Sequence, residues 1–330
     1  MSGDRVAYNL RPNKFVERHL FIELLSKLIG RDAIDSYVYV SLGGPQLEDL
    51  KLVHYGLGIK NLLSLEADTT VYERQQFNTR PFMKCKNQTS SEFIRALDEN
   101  YADKHLIVWL DYAAANERRE QLLEYEALLS KLQVDDTVKI TINANPRTLS
   151  EPCSGERPEV YQARGLQKLH ETLNEYIPGS IDPSQMTKTG LVPILCKAIQ
   201  YATIRGTQNT PDIAAVPLAI FVYQDSEHQM LTITVRLIKS SEIPNFAAEL
   251  GAAGWDYLPS SWTDATTITI PDLTVKERLF IEGLLFTEDL SSLVDKLPFR
   301  LSDNKADWLD MLKQFERHYR RYPSYLPVVF

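Results

Sequence analysis

Hydrophobic residues in the first 240 positions form short runs, and stretches with helical spacing separate one run from the next. The first run, residues 37–42, is rich in β-forming residues and ends at Gly43 and Gly44. Small residues there let the backbone approach a ligand closely and let a helix begin at once. We therefore predict a strand over 37–42, a helix over 46–55 and a second strand over 59–65.

The helix after the glycine pair has sequence signals at both of its ends. Pro45 is suited to the first helical turn, and Gly56 or Gly58 is suited to ending the helix. An acidic residue, Glu66, follows the second predicted strand roughly 20 residues after the glycine pair. A carboxylate at this spacing can accept hydrogen bonds from ribose hydroxyls, so the segment predicts a nucleotide-binding unit.

The alternation of strand and helix patterns continues to about residue 240. Further strands are predicted at 82–87, 105–112, 138–143, 216–223 and 231–238, and helices at 15–29, 91–99 and 117–132. The last two strands are joined by the polar segment 224–229, which predicts a hairpin. The chain is therefore predicted to have an α/β fold with a Rossmann-like parallel sheet and an antiparallel final strand pair.

This element order, with the glycine turn, Glu66 and Asp111, resembles the class I S-adenosylmethionine-dependent methyltransferase fold over about residues 10–240. The resemblance implies S-adenosylmethionine as cofactor. Carried over by position, it places Gly43 and Gly44 at the methionine portion, Glu66 at the ribose, Asn87 or Gln88 at the adenine side and Asp111 at the transfer site. The chain also resembles uncharacterised bacterial methyltransferase-like proteins with a winged-helix tail, some of them encoded near antiphage genes.

A helical pattern precedes the first strand, with Asn13 as its expected N-cap and Gly30 as its expected stop. In many methyltransferases a helix at this place covers the cofactor. The resemblance therefore implies that Arg11 and Lys14 reach the methionine carboxylate through charge-assisted contacts. The alternative is a solvated helix start with ordinary surface charges.

Asp111 and Tyr112 end an apolar run that is typical of a strand buried on both faces. At the carboxyl end of a central strand a polar group faces the ligand crevice, so Asp111 can hold an acceptor or act as a base. Tyr112 can stack on a planar substrate. The alternative for Asp111 is to cap the following helix through backbone N–H groups.

Composition narrows the class of protein. No apolar run approaches the roughly 18 residues that span a bilayer, and the three cysteines, Cys85, Cys153 and Cys196, are too scattered for a disulfide framework or a zinc site. We expect a soluble protein of the reducing cytoplasm with no membrane partner and no metal. The formal charge of −8 argues against a protein that coats nucleic acid by charge alone.

Two domains are expected, a methyltransferase-like domain over 1–240 with a helical insertion at 146–211, and a helical or winged-helix domain over 241–330. Tyr319, Tyr322 and Tyr325 interleave with arginines near the end of the sequence, and we expect them to be aromatic anchors for a partner. Because the charge of 271–330 nearly balances, we expect this unit to contact a protein partner, or a second copy of the chain, rather than nucleic acid.

Three functions remain open at this point. The first is an S-adenosylmethionine-dependent methyltransferase with an unknown acceptor. The second is a catalytically weak or inactive binding or regulatory module on the same fold, with antiphage defence as one candidate role. It is supported by the first strand, which lacks the family's acidic residue before a turn with more glycines. The third is another nucleotide-using Rossmann enzyme.

Overall fold

The structure is a computed structural model, and it describes residues 11–97, 101–225, 227–285, 287 and 289–323. The strands are β1 (Tyr37–Leu42), β2 (Asn61–Glu66), β3 (Met83–Asn87), β4 (His105–Asp111), β5 (Thr137–Asn143), β6 (Ile213–Asp225), β7 (His228–Lys239) and β8 (Thr266–Ile268). The α-helices are α1 (Pro12–Leu28), α2 (Glu48–Leu57), α3 (Thr69–Asn78), α4 (Ser90–Arg95), α5 (Arg118–Leu129), α6 (Pro158–Leu173), α7 (Lys188–Thr207), α8 (Ile243–Ala252), α9 (Val275–Leu284), α10 (Leu290–Lys296) and α11 (Lys305–His318).

The strands form one sheet in the order β3-β2-β1-β4-β5-β7-β6-β8. Strands β1 to β5 are parallel, whereas β7 lies antiparallel between β5 and β6. The predicted α/β sheet, its antiparallel final pair and the hairpin between β6 and β7 are confirmed. The strand order reverses between β1 and β4, and this is the place where a ligand crevice is expected at the carboxyl ends of the strands.

The turn after β1 differs from its prediction. The helix α2 begins at Glu48, because Leu47 adopts a left-handed conformation with φ 53° and ψ 35°. The Leu47 amide donates to the Gly44 carbonyl at 3.2 Å, which closes a turn before the helix starts. The prediction that Pro45 lies in the first helical turn is therefore wrong. The predicted stop at Gly58 is confirmed, since this residue has φ 80° and caps the helix.

The predicted N-cap at Asn13 is also wrong. The Asn13 carboxamide oxygen accepts the Ile270 amide at 2.7 Å, and its nitrogen donates to the Gln224 carbonyl at 3.3 Å. Arg11 occupies the N-cap position and makes no capping bond with its side chain. Asn13 therefore ties the start of α1 to the end of β6 and to the segment after β8.

Two buried ion pairs hold α1 against the rest of the fold. Glu17 contacts the ammonium of Lys139 on β5 at 2.7 Å, and the two side chains are 1% and 0% exposed. Arg18 contacts Asp49 on α2, also at 2.7 Å. The Lys139 ammonium lies 3.6 Å from the centroid of the Trp109 ring on β4. Burial lowers the pKa of Lys139, and the neighbouring Glu17 carboxylate opposes that shift.

The segment between β5 and β6 folds into the helices α6 and α7 with short 3₁₀ turns, close to the helical patterns predicted there. Helix α7 packs tightly on α5, since a Cβ at Gly206 would lie 2.8 Å from the Glu126 carbonyl oxygen. The Tyr125 and Thr203 hydroxyls lie 2.9 Å apart across the same interface. Leu195 on α7 belongs to the same hydrophobic core as Ile140 on β5 and Ile233 on β7, so α7 covers one face of the sheet.

Residues after 240 share a hydrophobic core with α1 and β6 rather than forming a separate one. The short strand β8 extends the main sheet by pairing with β6, with Phe221 opposite Thr266. A winged-helix arrangement is not confirmed in the described part of 241–323. The domain boundary near 241 stays a prediction.

Tyr322 and Arg321, near the end of the described residues, make contacts inside the fold. Tyr322 is 8% exposed, and its hydroxyl donates to the Pro271 carbonyl at 3.0 Å and accepts the Leu273 amide at 3.0 Å. Arg321 forms an ion pair with Glu23 on α1. The expectation that Tyr322 is a surface anchor for a partner is therefore wrong, because the ring belongs to the core; Tyr325 lies outside the described residues.

Removing one partner of the buried pair on α1 tests its contribution to stability. Glu17→Gln leaves the buried Lys139 without its carboxylate, so we expect the free energy of unfolding to fall by about 3–5 kcal/mol in urea titrations. The double variant Glu17→Leu/Lys139→Met should recover most of this loss, because a hydrophobic pair needs no desolvation of charge.

The exposed pair Lys60–Asp35, with side chains 68% and 77% exposed, supplies the control. Asp35→Asn should change the free energy of unfolding by less than about 1 kcal/mol. Equal effects of Glu17→Gln and Asp35→Asn would show that the buried pair does not anchor α1.

A second prediction concerns His318 on α11, which is fully buried and has no hydrogen-bond partner for either ring nitrogen within the described residues. Burial, followed by the charges of Arg317 and Arg321, lowers the pKa of His318 from 6.5 to about 4. The unfolded chain takes up this proton near pH 6.5, so the folded state loses stability as the pH falls from about 6.5 to 4. The slope from this group is at most about 1.4 kcal/mol per pH unit.

Urea titrations across that pH range should give a flatter profile for His318→Phe than for the parent. The same substitution at His170, which is exposed on α6, serves as the control and should leave the slope unchanged. A parent-like slope in His318→Phe would assign the acid sensitivity to other groups.

Candidate functional site

A cavity of about 1140 Å³ opens at the carboxyl ends of the parallel strands. Its wall combines the start of α1, the turns after β1, β2 and β4, the first turns of α5 and the turn between β6 and β7. The cavity brings together these residues predicted from the sequence: Arg11, Lys14, Gly43, Gly44, Glu66, Gln88, Asp111 and Tyr112. Asn87 is absent from the described lining. The roles of these residues stay predictions.

The glycine turn is packed so closely against β2 that a side chain does not fit at Gly43. A Cβ there would lie 2.2 Å from the Ser64 hydroxyl oxygen and 3.4 Å from the Gln75 amide nitrogen. The buried Gln75 side chain donates to the Gly43 carbonyl and, at 3.4 Å, to the Gly44 carbonyl. These hydrogen bonds hold the turn from the protein interior, so that its backbone forms part of the cavity surface.

The loop after β2 is fixed by a hydrogen bond within the loop and by two hydrogen bonds from Asn87 at the end of β3. One Glu66 carboxylate oxygen accepts the Asp68 amide at 2.9 Å, which sets the direction of the side chain. The Asn87 side-chain amide donates to the backbone carbonyl of Glu66 at 2.8 Å and to that of Ala67 at 3.3 Å. Of the two residues predicted for the adenine side, Asn87 supports this loop and Gln88 lines the cavity.

Lys14 and Asp111 meet in the cavity wall, where the ammonium lies 3.7 Å from the carboxylate. The side chains are 8% and 15% exposed, so water screens the pair only partly. Asp111 does not occupy the capping position that was its alternative role, since Glu117 is the N-cap residue of α5. The structure thus connects the first turn of α1 to the tip of β4.

Tyr112 is held by a cluster that the sequence analysis missed. Its hydroxyl donates to Glu124 on α5 at 2.6 Å, and the Ser90 and Ser91 hydroxyls donate to the same carboxylate, Ser90 at 2.5 Å. Burial raises the pKa of Tyr112 well above its usual value, and the Glu124 carboxylate adds to the shift. Tyr112 is therefore a neutral hydrogen-bond donor with a fixed ring.

Arg118, also missed by the sequence analysis, ties two loops of the cavity wall together. Its guanidinium donates to the carbonyls of Asn143 at 2.8 Å and Ala115 at 2.6 Å, and to the Thr148 hydroxyl at 3.1 Å. Complete burial lowers the pKa of Arg118 to about 10. The side chain stays charged at neutral pH and fixes the loops after β4 and β5.

Two classes of feature do not occur among the described residues. No group of three or more His, Cys, Asp or Glu side chains there is arranged to hold a metal ion. No helix in that part of the chain has the length and apolar character needed to cross a membrane.

The strand order, the reversal between β1 and β4 and the cavity at that point define a class I methyltransferase fold. The model of the family described as "Putative O-methyltransferase" matches residues 6–330, and the chain belongs to this family. No curated protein matches the chain significantly.

Solved structures similar to the chain are distant from it in sequence. The plantazolicin methyltransferase BpumL, solved with S-adenosylhomocysteine, is 8% identical, with a TM-score of 0.37 over 69% of this chain and 86% of its own. The O-methyltransferase from Bacillus cereus, also solved with S-adenosylhomocysteine, is 13% identical, with a TM-score of 0.34 over 67% and 80% of the two chains. Likenesses of this size carry no argument about the site.

The close packing at Gly43 gives a prediction. Gly43→Ala should lower the free energy of unfolding by about 1–3 kcal/mol, because the added methyl group overpacks a buried site. Gly43→Ala/Ser64→Ala should recover most of the loss, since it removes the hydroxyl that the methyl group meets. Urea titrations of the single and double variants measure both effects.

Gly30→Ala is the matched control. Gly30 has φ −64° and ψ 148°, and an added Cβ there would have no neighbour within 4 Å. This substitution should be neutral or slightly stabilising. If Gly43→Ala behaves in the same way as Gly30→Ala, the turn is not closely packed on Ser64.

Proposed function

We propose that this protein is an S-adenosylmethionine-dependent O-methyltransferase. The proposal is carried by one observation, the cavity that joins the glycine turn, Glu66 and the Lys14–Asp111 pair at the strand reversal of a class I methyltransferase fold. Membership of a family described as O-methyltransferases supports the reaction class. The cofactor supplies an activated methyl group on a positively charged sulfur, and the protein supplies alignment and a site shielded from water.

The residues present fit such a cofactor. The cavity of about 1140 Å³ has room for a nucleoside-sized molecule together with an acceptor. Gly43 lines the cavity, and the space where its Cβ would lie is filled by Ser64 and Gln75, so the turn requires a residue without a side chain. Glu66 offers a carboxylate whose direction is already set, which suits two neighbouring ribose hydroxyls.

In this proposal, charged groups on α1 and β4 bind the methionine carboxylate and orient the acceptor. Lys14, with Arg11 one turn away, is placed for the carboxylate of the methionine portion. Asp111 is the carboxylate beside the transfer position, where it orients an acceptor hydroxyl and accepts the proton that this hydroxyl loses. The Lys14 ammonium lies 3.7 Å from this carboxylate and fixes its position in the cavity wall.

The other proposals from the sequence have less support. A binding module without catalysis and another nucleotide-using enzyme remain alternatives, and the short glycine turn favours the first of them. A protein partner for the C-terminal residues stays a hypothesis, although Tyr322 and Arg321 are engaged within the chain.

Calorimetric titration with S-adenosylmethionine, S-adenosylhomocysteine, NAD and ATP tests the function. We expect binding of the first two compounds, and Glu66→Ala should weaken the binding of S-adenosylhomocysteine by about 1.5–3 kcal/mol through loss of a hydrogen bond to a charged group. Glu73→Ala, an equal change at an exposed position on α3, is the control and should bind as the parent does.

The four ligands separate the three functions. Preferential binding of NAD or ATP would favour another Rossmann enzyme, and binding of none of the four would favour the module without catalysis. Equal affinity of Glu66→Ala and the parent for S-adenosylhomocysteine would remove Glu66 from the site.

A further inference from the structure

The lining of the cavity carries an excess of negative charge. Glu117 and Glu120, three residues apart on the first turns of α5, both line the cavity. Glu227, in the turn between β6 and β7, lines it as well. Within the described lining, the only lysine and arginine are Lys14 and Arg11 at the start of α1, and Lys14 is paired with Asp111.

A second observation at the same place points to a ligand that donates hydrogen bonds. Gln121, which follows Glu120 on α5, also lines the cavity and is 3% exposed. Its amide nitrogen donates to the Ala114 carbonyl at 2.6 Å, which fixes the orientation of the group. Its carbonyl oxygen has no hydrogen-bond partner within the described residues. A buried acceptor without a partner is unfavourable, so a donor from a bound molecule would satisfy it.

Nearby cations reduce this negative charge without cancelling it. Arg119 is directed towards Glu175 at 2.8 Å and lies 3.9 Å from Glu120. Arg118 is buried behind the wall, where it donates to carbonyls and a hydroxyl. Glu117 and Glu227 make no ion pair within the described residues, and both are exposed residues of the cavity lining.

We infer that the acceptor of this enzyme carries a positively charged group with N–H donors, bound between Gln121 and the Glu117, Glu120 and Glu227 carboxylates. The inference rests on the proposed methyltransferase function and adds the class of acceptor to it. Carboxylates around a cleft raise the local concentration of cations and oppose the entry of anions. An ammonium or guanidinium group also supplies the donor that the Gln121 carbonyl lacks.

Three phenols of matched shape test this inference: tyramine with an ammonium group, 4-propylphenol with a methyl group and 3-(4-hydroxyphenyl)propionate with a carboxylate at the same place. Each is titrated calorimetrically into the protein saturated with S-adenosylhomocysteine. We expect tyramine to bind most tightly, about tenfold more tightly than the carboxylate, and its affinity to fall with added salt. In the presence of S-adenosylmethionine, tyramine should also be methylated fastest.

The variant Glu117→Gln/Glu120→Gln should reduce the preference for tyramine severalfold and leave the affinity for S-adenosylhomocysteine unchanged. Glu159→Gln/Glu171→Gln makes the same change in net charge on the exposed face of α6, away from the cavity, and should retain the preference.

The outcomes separate this inference from the function on which it rests. Failure to bind S-adenosylhomocysteine would overturn the proposed function and the acceptor class with it. Binding of S-adenosylhomocysteine without detectable binding of tyramine, or with equal or tighter binding of either other phenol, would overturn the acceptor class alone. A preference that is the same in both double variants would also overturn it.

Discussion

The contact between Glu17 and Lys139 determines where α1 lies, and the cavity depends on that position. Both charges are buried completely, and the ammonium is also covered by the rings of Phe21 and Trp109. Taking two charges out of water is unfavourable, so such a pair adds little net stability compared with a hydrophobic pair. Its geometry is nevertheless restrictive, because either charge alone in this core is strongly unfavourable. We therefore regard the pair as a constraint on the position of the helix.

Helix α1 transmits this constraint to the site. Lys14 lies almost one turn before Glu17, so a helix fixed at Glu17 and Arg18 carries Lys14 to Asp111 at the end of β4. The opposite wall is fixed in a different way, by Gln75 below the glycine turn and Arg118 between the loops after β4 and β5. Polar side chains buried beside the cavity thus hold backbone segments whose surfaces are available to a ligand.

The sequence predicted the sheet well because the sheet depends on local patterns. β1 was predicted with the bounds that it has, and the antiparallel pair followed from an alternating run on each side of a polar turn. Two of the failures came where a distant residue decides the local structure. Asn13 does not cap its helix because its side chain bonds to Ile270, and Tyr322 is buried because Pro271 and Leu273 satisfy its hydroxyl.

The distinction between local patterns and distant contacts also explains which site residues could be predicted. Gly43, Glu66 and Asp111 stand at strand ends, and a sheet brings strand ends together, so the sequence was sufficient to place them. Glu124 and Arg118 were not predicted, because their function in the wall depends on partners in other elements, such as Tyr112 and Asn143. Both residues lie on α5, and the sequence of that helix does not indicate these contacts.

The most direct test of this account is a crystal structure of the protein with S-adenosylhomocysteine. We expect the ribose hydroxyls within hydrogen-bond distance of Glu66, the adenine beside Gln88, and the methionine portion against Gly43 with its carboxylate near Lys14. The sulfur should face Asp111. A molecule bound elsewhere, or bound in the cavity with its ribose away from Glu66 and its carboxylate away from α1, would contradict the account.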